Sequence, residues 1–194
     1  MNSEDNIMNI DYKNSLYHFT PLKILSFLSS RAAETFSAKE ISKLTASSKG
    51  ATNQALRLLA EMDIITREKK GNLFLYESNF NNIILKQFKI FEVLMATRKL
   101  IKHIRPYCYK IVLFGSCASG SNDTNSDIDL FITTDKRDSV QKHVSKFNRS
   151  LPYVNAAMYD PLEILASEKK DKAFFEQIKK GITLWEGRPT SEKF

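Results

Sequence analysis

The stretch Ile111-Val112-Leu113-Phe114-Gly115-Ser116 is followed, after ten residues, by Asp127-Ile128-Asp129-Leu130-Phe131-Ile132. Each apolar run has the length and composition of a buried strand. Side chains alternate along a strand, so Asp127 and Asp129 face one side and Ile128 faces the other, toward a core. Backbone N–H groups at a Gly-Ser turn can hold phosphate oxygens, and Mg²⁺ prefers carboxylates, waters and substrate phosphates. The two strands therefore predict a site for a metal and a nucleotide.

This pattern resembles the nucleotidyltransferase superfamily with a polymerase-beta-type palm, especially its minimal members. The resemblance covers about residues 107–187 and implies a small mixed sheet with flanking helices. It implies an NTP substrate, Mg²⁺ or Mn²⁺ as cofactor, and transfer of a nucleoside monophosphate to an acceptor. By the same resemblance, Asp127 and Asp129 are the metal ligands and catalytic carboxylates. Gly115 and Ser116 form the turn that holds the triphosphate.

The family usually supplies a third carboxylate from the next core strand. Here that strand is predicted over residues 153–159, and Asn155 occupies the third position. An amide carries no charge and is no base at neutral pH, so two-metal catalysis is weakened while binding of a single Mg-nucleotide is not. Asp160 and Glu163 are alternative third carboxylates. Their other interpretation is negative charge at a helix start beside Pro161.

The first eighty residues carry a different pattern, of three short helices and a hairpin. A helix begins at Thr20-Pro21, a second opens on the capping box Ser37 to Glu40, and a third follows Ser48. Two strand-like arms flank the Gly71-Asn72 turn. Over about residues 16–78 this order resembles a winged helix-turn-helix.

In such a fold the third helix enters the DNA major groove and the hairpin wing contacts phosphates. The candidate DNA-binding residues on the helix are Ser48, Lys49, Thr52, Asn53 and Arg57. The candidates on the wing are Arg67, Lys69 and Lys70. A module used only for protein contacts, with these cations as a solvated rim, is the alternative.

Charge and apolar residues both concentrate in a predicted linker helix between these parts. Residues 81–110 hold seven Lys and Arg against one acidic residue, which accounts for six of the seven net positive charges of the chain. Such a segment can follow DNA, hold nucleotide phosphates or attract an acidic partner. Its apolar residues exceed one helical stripe, so the helix either lies buried between two domains or forms a homodimer.

Composition limits the number of domains, the cellular compartment and the kinds of metal site to expect. The chain has 194 residues, 42% of them hydrophobic, which gives room for two small globular domains. Its two cysteines favour a reducing compartment, and its three histidines have no metal-ligand spacing. No apolar run is long enough to span a membrane, and the polar N-terminus has no signal-peptide core, so we expect a cytoplasmic protein.

These patterns together predict an α+β chain made of four segments. They are a flexible N-terminus (1–14), a winged helix-turn-helix domain (15–80), a linker helix (81–105) and a nucleotidyltransferase-like domain (106–194). The leading hypothesis is a DNA-binding regulator or antitoxin-type protein whose transferase domain modifies a protein, such as a toxin, a nucleic acid or a small molecule. A catalytically inactive scaffold or nucleotide sensor is the alternative, because of Asn155.

Overall fold

The computed structural model of the protein describes residues 19–31, 34–149 and 152–188. The predicted N-terminal segment, 1–14, lies outside these residues. The chain folds into two compact units that divide between Leu85 and Lys86. Among the described residues, no helix combines the length and apolar character needed to cross a membrane.

The first unit combines three helices with a three-stranded antiparallel sheet in the order β1-β3-β2. Its core consists of aliphatic side chains that are fully buried, among them Ile24, Ile41, Leu56 and Ile65. The elements are α1 (Thr20–Ser29), β1 (Phe36–Ser37), α2 (Ala38–Leu44), α3 (Lys49–Glu61), β2 (Ile65–Lys70) and β3 (Leu73–Ser78).

Local signals in the sequence explain where these elements begin and turn. The predicted capping box is confirmed: Glu40 N–H donates to Ser37 Oγ at 3.3 Å, and Ser37 N–H donates to a Glu40 carboxylate oxygen at 2.8 Å. The predicted hairpin is also confirmed, with Gly71 at φ +62° between β2 and β3. Strand β1 was not predicted, because its two residues are defined by pairing with β3.

The second unit is built on a four-stranded sheet in the order β6-β5-β4-β7. Strands β5 and β6 are parallel and the other pairs are antiparallel, which confirms the predicted mixed sheet. The elements are α4 (Ile83–Ile104), which begins just before the division, a 3₁₀ turn (Arg105–Tyr107), β4 (Lys110–Phe114), α5 (Gly115–Ser119), β5 (Ile128–Thr133), α6 (Arg137–Phe147), β6 (Val154–Tyr159), α7 (Ile164–Lys170), α8 (Lys172–Lys179) and β7 (Ile182–Glu186).

Both faces of this sheet are packed, but to different extents. On one face, the core joins Ile111, Leu113 and Leu130 to buried residues of α4 and α6. On the other, Val112, Phe114 and Phe131 pack against Phe175 and Ile178 of α8. This second face carries the predicted carboxylates at one end.

Helix α4 supplies part of the core of the second unit. Val93, Leu100 and Ile104 are buried there with the sheet residues. This packing accounts for one apolar side of the helix that sequence analysis found to exceed a single stripe. Ile83, Ile84 and Phe91 lie outside that stripe and are exposed.

Candidate active site

Strand register brings the predicted site residues to one end of the sheet. Phe114, the last residue of β4, pairs with Asp129 of β5, and Asp129 pairs with Asn155 of β6. Residues directly opposite each other in adjacent strands share a face. Asp129 and Asn155 therefore project from the same face, beside the Gly-Ser turn that follows Phe114.

The turn and the carboxylate are in direct contact at Gly115. This residue has φ +70°, a left-handed conformation that side chains other than glycine rarely adopt. A Cβ atom built on Gly115 would lie 2.8 Å from Asp129 Oδ2. Glycine is therefore required at this position both by the backbone and by the carboxylate that occupies the adjacent space.

Asp127 lies immediately before β5 and is exposed. The buried thiol of Cys117 interacts with both Asp127 and Asp129. Cys117 Sγ donates to the Asp127 backbone oxygen at 3.4 Å. Burial, then the charge of Asp129 and to a smaller extent that of Asp127, raises the pKa of Cys117 to about 11. Both carboxylates thus lie near α5, the short helix that begins at the Gly-Ser turn.

Asn155 meets Asp129 directly. Its Nδ2 donates a hydrogen bond to Asp129 Oδ1 at 3.1 Å. The opposite amide orientation would place two oxygens against each other, so the donor orientation is the favourable one. An amide donor, rather than a third carboxylate, therefore neighbours the carboxylate pair.

The alternative third carboxylates lie elsewhere. Asp160 follows the far end of β6, five residues beyond Asn155, which is roughly 16–17 Å along the strand. Glu163 accepts from the Asp160 N–H and forms an ion pair with Arg137. Of the two interpretations left open for Asp160 and Glu163, their position does not favour a third carboxylate, because β6 runs away from the site and leaves both at the opposite end of the sheet.

The loop between the Gly-Ser turn and Asp127 is held by a residue that sequence analysis missed. Lys89 of α4 is only 3% exposed and donates from Nζ to the Asn122 backbone oxygen. Burial lowers the pKa of Lys89, and the charge of Asp123 opposes that effect. A signal was available, since Lys89 lies four residues after Leu85 and four before Val93, on the buried stripe of the helix.

The donor set fits a single hard cation shared with a ligand. The described residues contain no group of three His, Cys, Asp or Glu side chains placed to hold a metal. Two carboxylates are nonetheless the donor type that Mg²⁺ uses when substrate phosphates complete its coordination.

The candidate DNA-binding residues of the first unit differ in exposure. Lys49, Asn53 and Arg57 on α3 are exposed, and Ser48 caps the helix by accepting from Ala51 N–H at 3.3 Å. Thr52 is fully buried, because it shares the buried stripe of α3 with Ala55, Leu56 and Leu59. The prediction of a DNA contact by Thr52 is therefore wrong.

On the hairpin, the cations lie along β2. Lys69 and Lys70 are exposed near the turn. The Arg67 guanidinium lies 3.6 Å from the centroid of the Phe74 ring, across the two strands. The hairpin therefore presents Arg67 and Lys69 to solvent on one face and Lys70 on the other.

Comparison with known proteins bears on the second unit. Residues 98–189 match the family model described as polymerase beta, nucleotidyltransferase. The crystal structure of a Sulfolobus solfataricus protein, provisionally named a nucleotidyltransferase, aligns with 19% identity and a TM-score of 0.36 over 52% of this chain and 86% of that one. The comparison with curated proteins gives no significant match. Residues 98–189, which include the Gly-Ser turn, both aspartates and Asn155, therefore form a nucleotidyltransferase-like domain.

Proposed function

We propose that the second unit binds a nucleoside triphosphate with Mg²⁺ or Mn²⁺, and that it transfers a nucleoside monophosphate to an acceptor. The contact between Gly115 and Asp129 Oδ2 carries this proposal, because it joins the Gly-Ser turn to a carboxylate inside the family match. In this assignment, Asp127 and Asp129 hold the cation, and the backbone amides of Gly115 and Ser116 hold phosphate oxygens.

Each residue has a defined task in the transfer. The cation, when bound, neutralises charge on the triphosphate and orients it. The turn fixes the phosphates while an acceptor hydroxyl attacks the α-phosphorus. A new P–O bond forms there, the bond to the departing pyrophosphate breaks, and the hydroxyl proton passes to water. Phosphoryl-type transfer depends largely on positioning and charge stabilisation, and this site offers both.

The experiment is a thermal-shift panel of four NTPs, each with Mg²⁺, Mn²⁺ or EDTA. Binding to the folded state alone raises the melting temperature. We expect a shift with at least one NTP that needs the cation and disappears in D127N/D129N. A cation-dependent shift that persists in the double variant would reject the site.

A second candidate function, nucleotide sensing without transfer, is favoured by one observation. Asn155 donates to Asp129 where a third carboxylate would accept a proton from the acceptor. A site with two carboxylates keeps the means to bind one cation and a triphosphate. Under this alternative, the melting shift is retained but pyrophosphate is not released.

We propose that the first unit is a winged helix-turn-helix that binds DNA. Support comes from three helices followed by a hairpin, the exposed Lys49, Asn53 and Arg57, and the cations of the hairpin. With the transferase-like domain, this arrangement suits a transcriptional regulator or an antitoxin-type protein with a toxin or other protein as acceptor.

We further propose a homodimer through α4, on which Ile83, Ile84 and Phe91 are exposed. We place the protein in the cytoplasm.

A further inference from the structure

Two helices of the second unit pack side by side on the sheet face opposite Asp129. Leu100 and Ile104 of α4 share a buried core with Val140 and Val144 of α6. The sides of both helices that face away from these buried positions carry basic and aromatic residues. We call this the His-Lys surface: Lys102 and His103 of α4, Lys142, His143 and Lys146 of α6, and the adjoining Tyr107.

Three aromatic rings form a column on this surface. The His103 and His143 ring centroids are 5.7 Å apart with planes inclined by 29°. His143 stacks in turn on Tyr107, at 6.1 Å and 25°. His103, at the end of the column, is exposed. A flat ring at the end of a stack is a platform on which another flat group can lie.

The charge around the column is of one sign. Residues 98–110 contain five Lys and Arg and residues 139–149 contain three, with no acidic residue in either segment. The pKa of His143 is lowered by burial and then by the positive charges of His103, Lys142 and Lys146. The ion pairs shown among the described residues do not include Lys102, Lys142 or Lys146. Within the described ranges, these three lysines therefore keep positive charges that no ion pair shown neutralises.

We propose that the His-Lys surface binds single-stranded nucleic acid, with its lysines against phosphates and a base stacked on His103. Proteins that bind single strands combine a basic track with rings that stack on bases, and both are present here. An acidic protein would use the lysines but leave the ring column without a role. A duplex keeps its bases stacked on each other, so it could not use His103 either.

The test measures fluorescence anisotropy of a labelled oligo(dT) of about 12 nucleotides, a length within the usual site size. The full chain carries K49A/R57A/K69A/K70A so that neither α3 nor the hairpin contributes, and EDTA is present in place of metal and NTP. We expect binding that weakens with salt. K102E/K142E/K146E should lower the affinity at least tenfold, and H103A roughly tenfold.

The matched control is K169E/K170E/K180E, which makes the same charge change at three exposed lysines outside the surface. It should retain most of the affinity. If K102E/K142E/K146E does not fold by circular dichroism, K102Q/K142Q/K146Q replaces it.

Four results would overturn the proposal: no binding at low salt, equal losses in the surface and control variants, a duplex that binds as tightly as the single strand, or full affinity in H103A. If polyglutamate also competes as well as the oligonucleotide in H103A, the surface fits an acidic protein. Because the experiment contains neither NTP nor metal, its outcome does not depend on whether the proposed nucleotide site is correct.

Discussion

Gly115 and Asp129 occupy adjoining space, so the chemistry of the site depends on the absence of one methyl group. In the G115A variant, the new Cβ would meet Asp129 Oδ2 at 2.8 Å and the backbone would keep φ +70° only under strain. The left-handed conformation alone costs about 1–2 kcal/mol for alanine. We expect the cation-dependent NTP shift to disappear and the free energy of unfolding to fall by about that amount.

Gly50 provides the matched control for this variant. It lies in α3, and a Cβ there meets nothing within 4 Å. G50A should therefore be neutral or slightly stabilising, since alanine favours helix over glycine. Full NTP binding by G115A would show that the turn and Asp129 do not act together.

Asn155 allows a gain-of-function test of the two candidate functions. In N155D, a carboxylate faces Asp129 across two paired strands, and the repulsion destabilises the metal-free protein. Mg²⁺ relieves that repulsion, so we expect a larger Mg²⁺-dependent melting shift than in the native chain. If the native protein is a sensor, pyrophosphate release with labelled NTP should rise at least tenfold. N155A is the control, and identical behaviour of the two variants would exclude Asn155 from the site.

Cys108 makes stability depend on alkaline pH. Its side chain is fully buried, and burial raises its pKa from 9.0 to about 12. Between these values the unfolded chain loses the thiol proton and the folded chain keeps it, so stability falls as pH rises above 9. The fall attributable to one thiol is at most about 1.4 kcal/mol per pH unit. Urea unfolding from pH 8 to 10.5 should show a shallower decline in C108A, and parallel curves would contradict the assignment.

At the scale of elements, the loop between α5 and β5 depends on α4. A Cβ on Gly120 would lie 2.4 Å from the Lys86 backbone oxygen, so the helix backbone and the loop are in close contact. Lys89 adds the bond to Asn122, and Asp123 and Ser126 hydrogen-bond to each other within the loop. The loop then leads directly into Asp127. Helix α4 therefore positions one of the two carboxylates indirectly.

The K89M variant tests this positioning role. Methionine keeps an unbranched side chain but removes the donor to Asn122. Hydrogen exchange at residues 121–127 should accelerate, and the KM for NTP, or its dissociation constant where no turnover occurs, should rise several-fold with little change in kcat. Global stability should change little, because removing a buried charge offsets the lost hydrogen bond. K86M, on the same helix with a half-buried side chain, is the control, and equal exchange rates in the two variants would rule out the anchor.

Local patterns in the sequence predicted the elements whose signals lie within a few residues. The hairpin at Gly71, the capping box at Ser37 and the paired strands around the Gly-Ser turn follow from period, turn residues and caps. Strand β1 and the environment of Lys89 could not be predicted this way, because partners distant in the sequence define them. Thr52 shows a different error: its polarity suggested DNA contact, while helical periodicity placed it in the core.

The site also has features that the sequence predicted and features that required the paired strands. The spacing of Gly115, Asp127 and Asp129 was sufficient to propose a shared ligand. The hydrogen bond from Asn155 to Asp129 required the register between β5 and β6. The distance of Asp160 from the site required the direction of β6, which the sequence does not state.

At the scale of the molecule, each unit has a buried core of its own. Ile24, Ile41 and Leu56 are buried in the first unit, and Ile111 and Leu130 in the second. The positive charge is uneven, since residues 81–110 hold six of the seven net charges. Substitutions that share no partner usually have additive effects. The two proposed activities should therefore be separable by substitution.

That separation can be measured in the full chain with a duplex from the region upstream of its own gene. K69A/K70A should weaken duplex binding and reduce the slope of log affinity against log salt by about 2, because each lost phosphate contact removes about 0.9. The same variant should keep the Mg²⁺-dependent NTP shift, since neither lysine belongs to the second unit.

D127N/D129N should do the reverse, abolishing the NTP shift while duplex affinity stays within about twofold, as additivity predicts. A large change in duplex affinity in D127N/D129N would show that the carboxylates influence DNA binding. Unchanged affinity and salt slope in K69A/K70A would remove the hairpin from the DNA interface.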